Sequence, residues 1–418
     1  MRKLMLIAGI SVVSALFVSC GFFESRTAVL WTDRPEFAVY ADYFNAAQNQ
    51  YKIETRYLPS PAQALSKAVP GEFPDIVVGS WLKSASTRSL FASLDSMFRN
   101  GNIQESSFYP ALLAPGRIEG KQYLLPVSFN IPAVIFSREN SGLVDNPFVL
   151  SISEIQELGK AYNIERNGVY SRMGFSPSWN DEFLYVLADL LKANFREGSP
   201  LAWDPAALEQ AVAYIQNWIQ NANTSIQAED DFVFKYFFDP PAKLATSGRI
   251  LFGYMKSSNL FTLPEEVRSN LDFRWVSNRN TIPLAEGTVY YGIHKKSKSK
   301  GAARAFAQWF FTEETQRFIL ESSRKNRMNE NYFGVGNGFS ALRTVTEQIY
   351  PQFYPLLLGH MPPQDYLTPP NILPRDWLTL KDRVILPYLN DRIRSDSPAS
   401  IRSLERRIGE WYRLNPVR

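Results

Sequence analysis

The chain has 418 residues, 45% of them hydrophobic and 14% aromatic, which is enough for two globular units with sizeable cores. Its 45 basic and 41 acidic side chains nearly balance, so the charge does not indicate a nucleic-acid partner. It contains one cysteine and two histidines, His294 and His360, which stand far apart in the sequence. We therefore expect no disulfide bond and no histidine-based metal site, and no cofactor is predicted.

The N-terminal segment has the pattern of an export signal. Arg2 and Lys3 precede an apolar run, residues 4–18, that is too short to span a membrane comfortably. The run leads to Cys20, and this arrangement resembles the lipobox of bacterial lipoproteins, in which the cysteine is acylated. The resemblance predicts a signal peptide over residues 1–19, lipidation at Cys20, and an exported, membrane-tethered protein that faces the periplasm or the cell exterior. A buried cysteine or an uncleaved anchor is the alternative.

Predicted strands and helices alternate after this segment. They lie at residues 28–32, 38–48, 53–57, 62–69 and 75–78, in the order strand, helix, strand, helix, strand. This order predicts a parallel sheet with helices on its faces, where ligands bind beyond the carboxyl ends of the strands. Asp33 and Arg34 follow the first strand, and Ser80 and Trp81 follow the third, so all four are candidate ligand contacts.

Residues 122–137 (QYLLPVSFNIPAVIFS) have the composition of a strand but contain Pro126 and Pro132. A proline cannot donate to a sheet ladder, so one unbroken central strand is not expected. The segment predicts one strand at residues 123–125 and another at residues 133–136. An extended bridge at residues 127–131 joins them. Polar Asn130 lies in the bridge, which we interpret as a hinge between two bodies with a ligand against it.

The remaining chain is mostly helical by its apolar periodicity. Helix starts are predicted at the capping box Ser151–Glu154, at Asn180, at Asp204-Pro205, at Thr312 and at Ser397-Pro398. Strands are predicted at residues 250–254, 273–276 and 288–294, and further helices at residues 302–311 and 377–393.

Five segments, in this order, carry a family resemblance: VLWTDRPEF, FPDIVVGSW, GKQYLLPVSFNIPAVIFSREN, AKLATSGRILFGYMKSSNL and GIHKKSKSKGAARAFAQWFFTEETQRFI. They resemble motifs of the extracellular solute-binding proteins of bacterial ABC importers, of the maltose-binding type. The resemblance implies an α/β fold of two lobes, each a mainly parallel sheet flanked by helices, that close around a ligand about hinge crossings. It places lobe one at 26–128 with 288–338, lobe two at 133–284 with 340–418, and crossings at 127–132, 285–288 and 334–340.

A sugar site needs aromatic faces for the C–H side of the rings and polar groups for the hydroxyls. The resemblance places Trp31, Trp81, Trp179 and Trp377 at strand ends or loops near the cleft. The predicted ligand-binding residues are Asp33, Arg34, Ser80, Trp81, Asn130, Trp179, Tyr254, Glu286 and Trp377. A purely structural role, in loop, hinge or core, is the alternative for each of them.

The resemblance implies a monomeric substrate-binding lipoprotein that captures a sugar or oligosaccharide and passes it to the membrane subunits of an ABC permease. It implies neither an enzyme nor a nucleic-acid contact. One alternative is the same fold with another solute, such as a polyamine or an anion. The other is a surface sensor or adhesin lipoprotein without transport.

Overall fold

The computed structural model describes residues 25–101, 103–199, 201–395, 397 and 400–415, so Cys20 and the predicted signal segment lie outside the described residues. The strands are β1 Thr27–Thr32, β2 Lys52–Tyr57, β3 Ile76–Gly79, β4 Arg117–Ile118, β5 Lys121–Gln122, β6 Leu125–Phe129, β7 Pro132–Ser137, β8 Val149–Ser151, β9 Ile164–Arg166, β10 Val169–Arg172, β11 Gly253–Lys256, β12 Leu271–Ser277, β13 Ile282–Pro283, β14 Val289–Ile293, β15 Phe339–Ser340 and β16 Leu367–Thr368.

The helices differ widely in length, from single turns to five turns. They are α1 Glu36–Ala47, α2 Pro61–Lys67, α3 Ala85–Arg88, α4 Asp95–Arg99, α5 Pro110–Leu113, α6 Ile152–Tyr162, α7 Asp181–Leu190, α8 Pro205–Asn223, α9 Ile226–Lys235, α10 Pro241–Thr246, α11 Ser257–Phe261, α12 Glu265–Arg268, α13 Lys300–Phe310, α14 Glu313–Lys325, α15 Tyr350–Phe353, α16 Trp377–Leu380, α17 Leu386–Arg394 and α18 Leu404–Leu414. Within the described ranges, every helix is too short or too polar to cross a bilayer.

The first sheet has six strands in the order β15-β6-β14-β3-β1-β2. β1 pairs parallel with both β2 and β3, which places the segments after β1 and β3 side by side at one edge of the sheet. The predicted strand–helix alternation at the start of the chain is confirmed. β14 then pairs antiparallel with β3 and β6, so the sheet is mixed where the chain returns to it.

The second sheet has four strands in the order β11-β7-β12-β8. β7 pairs antiparallel with β11 and β12, and β12 pairs parallel with β8, so the expected parallel pairing is limited here to one pair of strands. Helices α6, α7, α8, α17 and α18 bury their apolar stripes in a common core beside this sheet. The predicted capping box is confirmed, because the Ser151 hydroxyl accepts from Glu154 N–H while the Glu154 carboxylate accepts from Ser151 N–H.

The predicted bridge at residues 127–131 is corrected by the structure. Residues 127–129 belong to β6, whereas Asn130 and Ile131 alone connect it to β7. β6 tolerates Pro126 because the register with β14 shifts between Val289 and Tyr290, a bulge at which the missing N–H is not needed. Pro132 stands at the first position of β7, where proline is also accepted. The connection between β6 and β7 is therefore shorter than the predicted bridge.

Aromatic side chains form a cluster where the chain passes between the two sheets. Phe333 stacks on Phe261 with ring centroids 4.7 Å apart, and its edge meets Phe339 and Tyr354 at 4.9 Å each. Phe339 also packs on Trp275 of β12 at 5.8 Å. Rings from both sheets, from α11 and from the residue that follows α15 thus form one packed aromatic cluster.

The C-terminal helices differ from the prediction in two places. The helix predicted over residues 377–393 contains a π-helical turn at Lys381–Ile385, between α16 and α17. The last helix begins at Leu404 and is capped by the Ser403 hydroxyl, and residues 401–403 before it are not helical. Pro398, at the predicted start of this helix, lies outside the described residues.

Candidate functional site

The loops after β1 and β3 bring three of the predicted residues into contact. Arg34 Nη2 donates to Ser80 Oγ at 3.0 Å, and Asp33 Oδ2 accepts the Ser80 N–H at 3.4 Å. The Ser80 hydroxyl in turn donates to the carbonyl of Gly287 at 3.0 Å, on the stretch that connects β13 to β14. Glycine at residue 79 avoids a close contact, because a Cβ there would lie 3.1 Å from Pro61 Cγ and 3.2 Å from Asp33 Oδ1. The two loops therefore act as one polar surface that is fixed to the stretch between β13 and β14.

Parts of this polar surface have no hydrogen-bond partner within the described chain. Asp33 Oδ1 and Arg34 Nε lie 3.4 Å apart as an ion pair, yet both atoms are buried and make no hydrogen bond. Burial raises the pKa of Asp33, and the neighbouring Arg34 charge opposes this shift. Buried polar atoms without a hydrogen-bond partner favour a ligand that supplies hydroxyl or amide groups.

Two buried charged groups near these loops were not among the predicted residues. Glu36, at the start of α1, is 1% exposed, and neither carboxylate oxygen has a hydrogen-bond partner among the described residues. Burial raises its pKa to about 7. Lys83 Nζ likewise has no hydrogen-bond partner in the described part of the chain and lies 4.9 Å from the centre of the Tyr290 ring, and burial lowers its pKa to about 8. The sequence offered no signal for either, since both look like ordinary surface residues of a loop or a first helical turn.

Glu286, predicted on the return crossing, lies in a charged network that sequence reasoning missed. Lys381, whose side chain is 1% exposed, contacts the Glu286 carboxylate and lies 2.7 Å from Glu182 Oε1. The other Glu182 oxygen lies 2.9 Å from Lys256 Nζ, at the end of β11. Burial alone would lower the pKa of Lys381, but the two carboxylates outweigh burial and the pKa is raised. Burial would likewise raise the pKa of Glu182, and the two lysines lower it.

Trp179 and Tyr254 line a cavity of about 180 Å³ beside the edge strand β11. Its walls come from the turn before α7, from α9, α10 and the segment between them, and from β11 and the residues just before it. They are mainly aromatic and aliphatic, and include Phe175, Phe232, Val233, Tyr236, Phe237, Leu244 and Ile250. Trp179 Nε1 and the Tyr254 hydroxyl are both buried, and neither has a hydrogen-bond partner in the part of the chain that the structure describes. Burial raises the pKa of Tyr254 well above its usual value, and the charges of Glu182 and Glu286 add to the rise. The Tyr254 hydroxyl therefore lies within electrostatic reach of the Lys381 network.

The contacts of the other predicted residues are those of residues that hold the fold together. The Asn130 amide donates to the Asn337 carbonyl at 2.9 Å and accepts from the Ser257 hydroxyl at 2.7 Å. Trp377 is fully buried, with Tyr185 and Phe195 rings 5.6 and 5.7 Å away. Trp81 is half-buried in the left-handed region at φ 68° and packs against apolar side chains from both sheets' cores. Their roles toward a ligand stay predictions.

A second contact joins the loops after β3 to the helical part beside the second sheet. The Glu197 carboxylate accepts the N–H of Ala85, with oxygens at 2.8 and 3.1 Å. A cavity of about 760 Å³ opens next to it, lined by Ala85 and Ser86 on one side and by Glu197, Asp376 and Tyr412 among others on the facing side. This geometry is that of two bodies meeting across a cleft.

The fold and the site together define a two-lobed binding protein with polar groups on both sides of a cleft. A family model described as bacterial extracellular solute-binding protein matches residues 39–323. The chain belongs to this family. No curated protein sequence matches the chain.

Solved structures show the same fold at low sequence identity. An ABC substrate-binding protein from Listeria monocytogenes in complex with cycloalternan has a TM-score of 0.61 and 15% identity, over 94% of this chain and 99% of that one. The cyclic alpha-maltosyl-1,6-maltose binding protein from Arthrobacter globiformis has a TM-score of 0.60 and 16% identity, over 92% and 96%. The Thermus thermophilus maltotriose binding protein has a TM-score of 0.56 and 13% identity, over 92% and 97%. The predicted two-lobed fold is confirmed.

Proposed function

We propose that the protein captures a sugar or oligosaccharide between its lobes and delivers it to the permease of an ABC importer. The observation that carries the proposal is the polar path between the lobes. It runs from Arg34 through Ser80 to Gly287, and from the adjacent Glu286 through Lys381 to Glu182. Unpartnered polar atoms stand on either side of it, at Asp33 and Arg34 in one lobe and at Tyr254 in the other. Several similar structures hold oligosaccharides, which supports this class of solute.

The chemistry of these atoms favours a neutral, hydroxyl-rich solute. The charges pair with one another along the path, for example Arg34 with Asp33 and Lys381 with two carboxylates. An uncharged hydroxyl can satisfy a buried donor or acceptor without adding a net charge, and an unsatisfied one costs about 1–3 kcal/mol. A charged polyamine or anion would lose its hydration on entering the cleft. The charged groups of the path are already paired, so they would not compensate for that cost.

Closure follows from contacts on both sides. A solute that binds groups of both lobes has a higher affinity for the closed form, and it shifts the population by that difference in affinity. We take the lobes to be residues 26–128 with 288–338 and residues 133–284 with 340–418, and the closed pair of lobe surfaces to be what the permease binds. No bond of the solute is broken in this scheme.

The proposal includes export and anchoring. The family is extracellular, and the proposed anchor is the lipid on Cys20, with the folded part acting as a monomer. Mass spectrometry of the protein purified from membranes would show an acylated N-terminal cysteine at residue 20. A chain that still begins at Met1, or that is cut elsewhere without acylation, would contradict this part alone.

A solute panel tests the main proposal. Linear and cyclic oligosaccharides, polyamines, peptides and inorganic anions are titrated into the soluble domain and followed by calorimetry and thermal melting. We expect a response to at least one saccharide, which Arg34→Met reduces about tenfold or more by removing a charged hydrogen-bond donor. Arg304→Met, on the exposed face of α13, is the matched control and should leave affinity unchanged. A response only to polyamines or anions would overturn the carbohydrate assignment.

A further inference from the structure

The aromatic cavity beside β11 differs in chemistry from the polar path between the lobes. Its volume of about 180 Å³ exceeds the roughly 150 Å³ of an engineered cavity that holds benzene, so it has room for one six-membered ring. Phe175, Phe232, Phe237, Leu244 and Ile250 supply most of its wall. The Trp179 ring is held in place by a parallel stack on Phe232, with centroids 5.5 Å apart.

Two buried polar atoms mark this cavity as a site for a ligand. Tyr254 is 7% exposed, and within the described residues its hydroxyl has no hydrogen-bond partner; the same holds for Trp179 Nε1. Both atoms can donate, so a group that carries an acceptor oxygen would satisfy them. Two other polar atoms of the wall are already bonded, because Asn180 Oδ1 caps α7 and Asp239 Oδ1 pairs with Lys243.

Here we propose that this cavity is a subsite for a single ring of the solute that carries few hydroxyls, such as an aromatic or alicyclic substituent on a saccharide. The inference rests on the proposed function, since it assumes that the rest of the solute lies along the polar path. A fully hydroxylated ring does not fit the chemistry of the wall. Each hydroxyl left without a partner in an apolar pocket weakens binding about fivefold or more, and the buried, unpartnered atoms of the wall can pair with about two of them.

The subsite adjoins the polar path. Asn180 and Tyr254 belong to the cavity wall, and two residues further along the chain from each of them, Glu182 and Lys256 form an ion pair of 2.9 Å. Phe237, also part of the wall, is 71% exposed. Phe234 is 83% exposed and is not part of the wall, so it serves as the matched control.

The test compares two ring compounds of the same size, cyclohexanol with its single hydroxyl and myo-inositol with a hydroxyl on every carbon. Binding of each compound to the whole folded domain is measured by saturation-transfer NMR and by titration. We expect cyclohexanol to bind and myo-inositol not to bind. Val233→Trp, which fills the cavity from α9, should abolish cyclohexanol binding, and Phe234→Ser should leave it unchanged. Tyr254→Phe should weaken it about fivefold, the effect of one hydrogen bond of about 1 kcal/mol.

Cyclohexanol binding that survives Val233→Trp, or equal binding of myo-inositol, would overturn the inference, as would no binding of either ring. Melting temperatures of the variants show whether each one is folded, and Leu244→Trp is a second way to fill the same cavity. The saccharide panel is read separately. A protein that binds a saccharide but not cyclohexanol keeps its proposed function and loses this subsite, whereas cyclohexanol binding without any saccharide response leaves the subsite and removes the proposed function.

Discussion

The Glu197 carboxylate accepts the backbone N–H of Ala85 at 2.8 Å, although 112 residues separate the two in the chain. Ala85 begins α3 in the loop after β3, and Glu197 follows α7 on the facing side of the cleft. The bond can exist only while the two sides are close. It therefore contributes to the closed arrangement of the lobes independently of any solute.

Glu197→Gln should favour separation of the lobes. Charged hydrogen bonds contribute about 1.5–3 kcal/mol, and partial exposure of Glu197 reduces this to about 1 kcal/mol. We expect a larger radius of gyration for the solute-free variant in X-ray scattering, and a solute affinity about fivefold lower. Glu157→Gln, on the exposed face of α6, is the control. An unchanged radius and affinity would show that the bond does not influence closure.

Glu36→Gln tests the buried carboxyl at the start of α1. Burial raises the pKa of Glu36 from 4.5 to about 7, so between these two pH values the folded protein keeps a proton that the unfolded chain has released. This contribution favours folding at low pH and is lost as the pH rises through about 7. At about 1.4 kcal/mol per pKa unit it amounts to about 3 kcal/mol.

Urea unfolding at pH 5 and pH 8 measures this contribution. Relative to the wild type, Glu36→Gln should be about 3 kcal/mol more stable at pH 8 than at pH 5, because the glutamine has no proton to lose. The exposed Glu72→Gln should show no such difference. Parallel pH profiles for wild type and Glu36→Gln would mean that the carboxyl is solvated or paired in solution.

Lys381→Met should destabilise the fold strongly. The substitution leaves the carboxylates of Glu286 and Glu182 close together without the lysine that neutralises them, and breaking a buried pair in this way costs about 3–5 kcal/mol. Adding Glu286→Gln should restore part of the loss, which denaturant titration would measure. Lys256→Met removes a pair that is about a third exposed and should cost no more than about 1 kcal/mol. Equal losses for the two lysine variants would contradict the burial argument.

Asn130→Ala separates a hinge role from a ligand role. The amide bonds the Asn337 carbonyl and the Ser257 hydroxyl, and the Asn130 carbonyl accepts from Ala285 N–H. Loss of the side chain leaves buried partners unsatisfied, and we expect about 2–3 kcal/mol lower stability in chemical unfolding. If stability were unchanged while solute affinity fell, Asn130 would be a ligand contact and not a hinge residue.

Sequence patterns predicted the local features of this fold. The strand–helix order before Gly79, the capping box at Ser151 and the caps at Asn180 and Asp204 all depend on residues a few positions apart. The adjacency of Asp33 and Ser80 was also predictable, since the carboxyl ends of parallel neighbours meet at one edge.

Contacts set by tertiary packing could not be predicted in this way. Lys381 is one of many lysines in the sequence, and only the folding of a π-helical turn against α7 places it between two carboxylates. Glu36 resembles any acidic residue in a first helical turn, and only the folded structure shows that it is 1% exposed. The extent of β6 was underestimated for the same reason, because its partners β14 and β15 come more than 150 residues later.

The aromatic cluster at the crossings has a calorimetric consequence. Phe261, Phe333, Phe339 and Tyr354 pack ring against ring across the connection, with the centroids of Phe333 less than 5 Å from three of its neighbours. When the lobes rotate about this cluster, its rings stay in contact, so opening exposes little of the cluster's apolar surface to water. Because burial of apolar surface is what makes the heat-capacity change of binding negative, that change should reflect the area of the solute and the cleft walls rather than the hinge.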